Sequence, residues 1–199
     1  MSDGGRRALT DLQDWQRRAQ ARLRQRMDAA GCVFDFAVRR VAPGHTVVEA
    51  DHRAVLGALF EPMHGGAAWT CDLPRAHATR WDAAGVTDAT AFAPGQRIGF
   101  DRAPASVSPF EHLFQAFDDP PYTARCEPGL FADFCSAVGL LPGQGIEVLD
   151  WVGDPEREPE RSAWSDYFDA GREWWGIWCL TVWNPRRRTL AALAASTTD

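Results

Sequence analysis

Apolar positions crowd most densely between Trp174 and Trp183, where four of the nine tryptophans fall within ten residues. Taken at a period of two, one parity reads Trp174, Gly176, Trp178, Leu180, Val182 and the other Trp175, Ile177, Cys179, Thr181, Trp183. Both parities are apolar, which predicts a strand covered on two faces. Asn184-Pro185 opens a turn, because proline presets φ at its second position. The segment Thr189–Ala195 that follows carries small side chains, leaving room for indoles opposite. Its alanines and leucines also suit a helix, but a helix would leave the tryptophan strand without a neighbour, so a hairpin is predicted. That hairpin is expected to be the core of the fold, with Trp178 buried in it.

Upstream, a narrow stripe of Leu9, Leu12, Trp15 or Gln16, Ala19, Leu23 and Met27 predicts a helix over about residues 9–30, stopped by Gly31. Thr10 and Gln13 have the spacing of a capping box at its start. Val33–Val41 alternates as a strand, with Phe34, Phe36 and Val38 on one side, and Ala42-Pro43-Gly44-His45 predicts a hairpin into Thr46–Glu49. Ala54–Phe60 is apolar without a clear period. Ala67–Leu73 and Gln96–Phe100 read as short strands. Ser108-Pro109 and Glu127-Pro128 each open a helix, with Phe110, Leu113, Phe114 and Phe117 inward in the first and Leu130, Phe131, Phe134, Cys135 and Val138 inward in the second. Ile146–Val152 reads as a strand, and residues 153–161, charged and broken by Pro155 and Pro159, as an exposed, mobile loop. These elements predict a single α+β domain over 1–199, a mostly antiparallel sheet centred on the C-terminal hairpin with helices on one face.

Composition narrows the chemistry. All 21 basic residues are arginine, and the absence of lysine excludes Schiff-base enzymes, P-loop NTPases, Ser-Lys acyl transferases and kinases built on a strand lysine. No apolar run is long enough to span a membrane and no signal pattern opens the chain, so a soluble, cytoplasmic protein is expected. Five widely spaced cysteines without a C-x-x-C are expected to be reduced thiols acting as small core residues. Residues 1–40 hold nine Arg against five Asp, while residues 41–199 hold twelve Arg against twenty-two acids, a balance of −10. Such an acidic body argues against nucleic acid and for a basic partner.

No Gly-rich phosphate loop, nucleophile elbow or zinc-protease motif is present. The five histidines are too scattered for a metal site by spacing, so neither metal nor cofactor is expected; His45, His52 and Asp51 would form a facial triad only if the fold gathered them. The strongest constellation is Trp164–Trp175, where Asp166, Asp169 and Glu173 interleave with five aromatic residues. Acids beside rigid rings suit recognition of a basic partner, with Trp174 or Trp175 as apolar anchor. The leading expectation is therefore a non-catalytic binding protein, of the toxin-neutralising (immunity) kind, using Asp166, Asp169, Glu173, Trp174 and Trp175. The alternative is a hydrolase or lyase in which His112, Asp166, Asp169 and Glu173 act as acids and bases in an aromatic-lined pocket. Arginines fill the exposed side of the first helix (Arg17, Arg18, Arg22, Arg24, Arg26) and the turn Arg186–Arg188, either of which can meet an anion or a solvent.

Overall fold

A computed structural model describes residues 8–64, 69–96, 107–119, 126–169, 171 and 176–196. Six strands, β1 (Leu9–Thr10), β2 (Asp35–Val41), β3 (Thr79–Arg80), β4 (Glu147–Asp150), β5 (Trp178–Asn184) and β6 (Thr189–Ala195), form one antiparallel sheet in the order β1-β2-β6-β5-β4-β3. Among the described residues four α-helices accompany them: α1 (Asp14–Ala30), α2 (Glu49–His64), α3 (Pro109–Asp118) and α4 (Leu130–Val138). The fold is α+β.

The predicted C-terminal hairpin lies at the centre. β5 and β6 pair from Trp178↔Ala195 to Asn184↔Thr189, and each also pairs outward, to β4 and β2. Asn184, the one asparagine of the chain, is buried at the turn. Its amide donates to Gly139 O (2.9 Å) and Gln144 Oε1 (2.8 Å), and its Oδ1 accepts from Arg187 N (3.0 Å). Three bonds to one short side chain fix where the hairpin turns. Arg188, in the left-handed region at φ 51°, reaches back from the same turn to the carbonyls of Val41, Ala42 and His45.

Strand alternation divides the core into two layers. Phe36 and Val38 of β2, Leu180 and Val182 of β5, and Ala191, Leu193 and Ala195 of β6 face α1, α3 and α4. There Phe34, Phe36, Phe92, Phe110, Phe114, Phe117, Phe131 and Phe134 interlock through tilted and edge-on ring contacts. Each ring fully withdrawn from water contributes roughly 1.5–3 kcal/mol of transfer free energy. The opposite parity, Ala37, Cys179, Leu190, Ala192 and Ala194, faces Val55, Leu56, Leu59 and Phe60 of α2, together with Trp151, Trp164, Tyr167 and Phe168. Thus α1, α3 and α4 lie on one face as expected, while α2 covers the other, lying over β6 and β2 where alanines let a helix approach.

Several local expectations are corrected. Residues 46–49 form no strand, because both edges of β2 are already taken by β1 and β6; the Pro43-Gly44 turn instead delivers the chain into α2. Asp51 begins that helix by accepting the N–H of Val48 at 2.9 Å, so Ala54–Phe60 is helical. Leu9 and Thr10 pair with Val41 and Arg40, which delays α1 to Asp14; the side chain of Gln16, not a Thr10 box, caps Gln13 N at 3.1 Å. Of Ala67–Leu73, only a single bridge between Cys71 and Ser165 is strand-like, followed by a 3₁₀ turn at Leu73–Arg75, whereas residues 65–68 and 97–100 lie outside the described residues. Trp178 is half-buried; among the described residues the deeply buried indoles are Trp151 and Trp164. α3 keeps its predicted start, where Ser108 and Glu111 form a reciprocal capping box, and α4 its predicted stop, Gly139 at φ 83°, but α4 begins at Leu130 after Gly129 and not at Glu127-Pro128.

Candidate functional site

The acidic-aromatic stretch divides its side chains between core and surface. Trp164, Tyr167 and Phe168 are buried around Phe60 with mostly edge-on geometry, and Trp164 Nε1 donates to Trp151 O at 3.0 Å. Burial holds the Tyr167 phenol well above its ordinary pKa, with Asp35 adding to the effect, so it stays protonated. Asp166 Oδ1 accepts the N–H of Thr70 at 2.7 Å, while Ser165 Oγ donates to Thr70 O at 2.8 Å, so this acid helps dock the 69–72 segment. Asp169 is exposed. Glu173, Trp174 and Trp175 lie outside the described residues. The structure therefore gives Asp166 an internal partner that its spacing did not reveal.

His112 sits elsewhere, exposed on α3, where it borders an open cleft of about 670 Å³. Four separate stretches of chain build that cleft. Trp81 follows β3, Pro109 and His112 open α3, Asp150 ends β4, Asp154 and Glu156 lie in the next loop, and Gly176–Leu180 leads into β5. Trp81 and Trp178 are half-buried, each packed on the Phe-rich layer while keeping part of its surface open to the cleft. Three carboxylates, one imidazole and two indoles line the space, and among the described residues no arginine does.

The acidic rim is held by its own backbone. Asp150 Oδ1 accepts the N–H groups of Val152 and Gly153, each at 3.0 Å. Arg161, mostly buried, donates to Asp150 O at 2.9 Å, Thr79 Oγ1 at 3.0 Å and Glu158 Oε2 at 2.8 Å. Gly153 at φ 64° passes so close to that guanidinium that a Cβ would come within 2.3 Å of Arg161 Nη1. Asp154 Oδ1 in turn accepts from Glu156 N at 3.0 Å, and its Oδ2 meets Arg157 Nε at 3.4 Å. The exposed residues 154–160 thus hang from an anchored end.

Two of the three groups weighed as a facial triad do meet. His45 Nε2 lies 2.8 Å from Asp51 Oδ2, the same buried carboxylate oxygen that caps α2. His52 points the other way, its Nδ1 2.7 Å from Thr181 Oγ1 inside the core, where burial pushes its pKa down against the pull of Glu147, Asp51 and Glu49. No cluster of three metal-ligating side chains occurs among the described residues, and the His45–Asp51 pair serves the helix start. Five of the eight arginines weighed as anion sites have internal partners: Arg17 binds Asp14, Arg26 binds Glu127 and Asp133, Arg24 donates to Phe36 O, Arg187 to Ser136 O, and Arg188 to Val41 O.

Sequence reasoning singled out His112, read Trp178 as core, and missed Trp81, Asp150, Asp154 and Glu156. The available signal was the D-W-V-G-D-P-E run, acids at alternate turns directly after a strand. No helix among the described residues is long and apolar enough to cross a membrane. The chain matches no family model, no curated protein and no solved structure in comparisons with each.

Proposed function

We propose that this protein is a non-catalytic binding protein that takes a basic partner into the cleft bounded by Trp81, His112, Asp154, Glu156 and Trp178. The observation that carries this reading is the lining itself, three carboxylates beside two half-open indoles and no arginine among the described lining residues, Arg157 meeting Asp154 from outside the cleft. Carboxylates at a rim steer and select cations, and indoles give rigid contact area to whatever they select. Glu173, Trp174 and Trp175 stay candidates on sequence alone, as an acid beside two rings. A toxin-neutralising role in the cytoplasm is the form of this function we favour, because an acidic neutraliser covers a basic active surface.

The test is capture from host lysate by wild type and by an Asp154→Asn/Glu156→Gln variant, at low and high salt. The reading expects a partner retained at low salt, weakened by salt and lost with the variant at unchanged thermal stability. Equal retention by the variant overturns it. One observation favours the alternative of a hydrolase or lyase: His112 shares the cleft with the carboxylates. His112→Gln separates the two, since a binding surface keeps most of its affinity and a general base loses its reaction.

A further inference from the structure

Cys32 and Cys126 are 94 positions apart in sequence, yet their sulfurs lie 3.4 Å from one another, both half-buried. Both sulfurs also lie 3.7 Å from the carbonyl oxygen of Phe117. Cys32 follows Gly31 at the end of α1, Phe117 sits in the last turn of α3, and Cys126 precedes α4. Three helices of the Phe-rich layer therefore converge on two thiols. Of the others, Cys135 and Cys179 are fully enclosed, where an apolar surrounding keeps a thiol protonated and inert.

We infer that Cys32 and Cys126 form a modification site, a dithiol that a hydroperoxide converts reversibly into an intramolecular disulfide. The distance carries the inference. A disulfide needs its sulfurs about 2.05 Å apart, so a closure of little more than an ångström separates the reduced pair from the bond. No other cysteine pair is this close among the described residues.

The two thiols are also unequal. The shared S–H between the two sulfurs favours ionisation of Cys126 and disfavours that of Cys32, while burial and Asp118, beside Cys126, oppose it. In this scheme Cys126 attacks first. Its sulfur attacks one peroxide oxygen, the O–O bond breaks, and the departing hydroxide takes a proton as water, leaving Cys126 as a sulfenic acid. The Cys32 sulfur then attacks the Cys126 sulfur, the S–O bond breaks, and the hydroxide released takes the Cys32 proton as a second water. Two electrons pass from the sulfur pair to the peroxide, and two thiols plus one hydrogen peroxide become one disulfide plus two waters. A dithiol reductant reverses the bond by exchange.

The experiment treats the intact protein with one equivalent of hydrogen peroxide, alkylates the remaining thiols in denaturant, and maps tryptic peptides without reduction. The expected result is a loss of two of the five free thiols, a decrease in intact mass by two hydrogens, a linked peptide pair containing Cys32 and Cys126, and full recovery of the thiols on reduction. Cys32→Ser is expected to trap an oxygen adduct on Cys126, and Cys126→Ser to abolish the two-thiol loss; the wild-type map stands without either variant should one fail to fold. Oxidation spread over the five cysteines, a link between molecules, or recovery of Cys32 and Cys126 only in separate oxidised peptides overturns the inference.

Discussion

His52 on α2 and Thr181 on β5 share a hydrogen bond through the core, with Nδ1 and Oγ1 2.7 Å apart and both residues buried. Trp151 Nε1 donates to the same hydroxyl at 2.8 Å. An indole N–H only donates, so Thr181 Oγ1 accepts from Trp151 and still has its proton and a second lone pair for His52 Nδ1 in either tautomer. The chain from Trp151 through Thr181 to His52 ties helix, strand and the turn after β4 together with a neutral histidine.

That neutrality makes the fold sensitive to acid. Burial first, against Glu147, Asp51 and Glu49, holds the folded pKa of His52 below its unfolded value near 6.5. The unfolded chain therefore binds a proton that the folded chain refuses. Stability is complete above the unfolded value and falls as pH drops through it, at no more than about 1.4 kcal/mol per pH unit for this one group. Urea unfolding of wild type and His52→Asn between pH 8 and pH 5 checks this; the wild type is expected to show the steeper acid loss.

The buried indole, not the most conspicuous one in sequence, carries the packing. Trp151→Ala is expected to cost about 3–5 kcal/mol, because the side chain is fully enclosed and bonded to Thr181. Trp15, 61% exposed, is expected to cost no more than about 0.5 kcal/mol when replaced by Ala. Trp178→Ala should fall between them. Denaturant midpoints of the three variants give the ranking.

Gly153→Ala is expected to destabilise by about 1–3 kcal/mol, from a left-handed φ that alanine resists and a collision with the Arg161 guanidinium. A change of Arg161→Ala made together with it should remove the guanidinium clash but keep the φ cost and the approach of Glu158 Oε2 at 2.7 Å. The double-mutant cycle measures the separation.

Asp166→Ala should cost about 1–2 kcal/mol by leaving the Thr70 N–H without its acceptor. Asp166→Asn keeps an oxygen there and should recover most of the loss. Thermal melts of the pair decide whether this carboxylate serves the fold through its oxygen or through its charge.

Much of the sheet centre was legible because its signals were local. Two apolar parities around Trp178–Val182 and the Asn184-Pro185 turn are readable within a few residues, as are the caps at Ser108 and Gly139. α2 was not, because Ala54, Val55, Leu56, Ala58, Leu59 and Phe60 make a helix apolar on nearly every side with Pro62 near its end, so no stripe stands out. The mistaken hairpin after Val41 shows the same limit from the other direction. Val47 and Val48 suit a strand by propensity, yet a strand also needs a free edge, and which edges are free depends on β1 and β6. The candidate cleft draws Trp81, His112, Asp150 and Trp178 from distant stretches, and the Cys32–Cys126 approach spans 94 positions. No spacing rule reaches across such distances.

The order of strands also has a consequence for synthesis. β5 and β6 occupy the middle of the sheet, and β2 waits for β6 across pairs such as Asp35↔Ala194. A ribosome therefore releases β2, β4 and the phenylalanine-bearing helices before the strands they rest on exist. Until residues 178–195 emerge, the inner edges of β2 and β4 are open to strangers and the aromatic faces to water. Folding of this chain should be a late, largely all-at-once event with many long-range contacts to close. A nascent chain stalled before Trp178 would be a natural client for a chaperone.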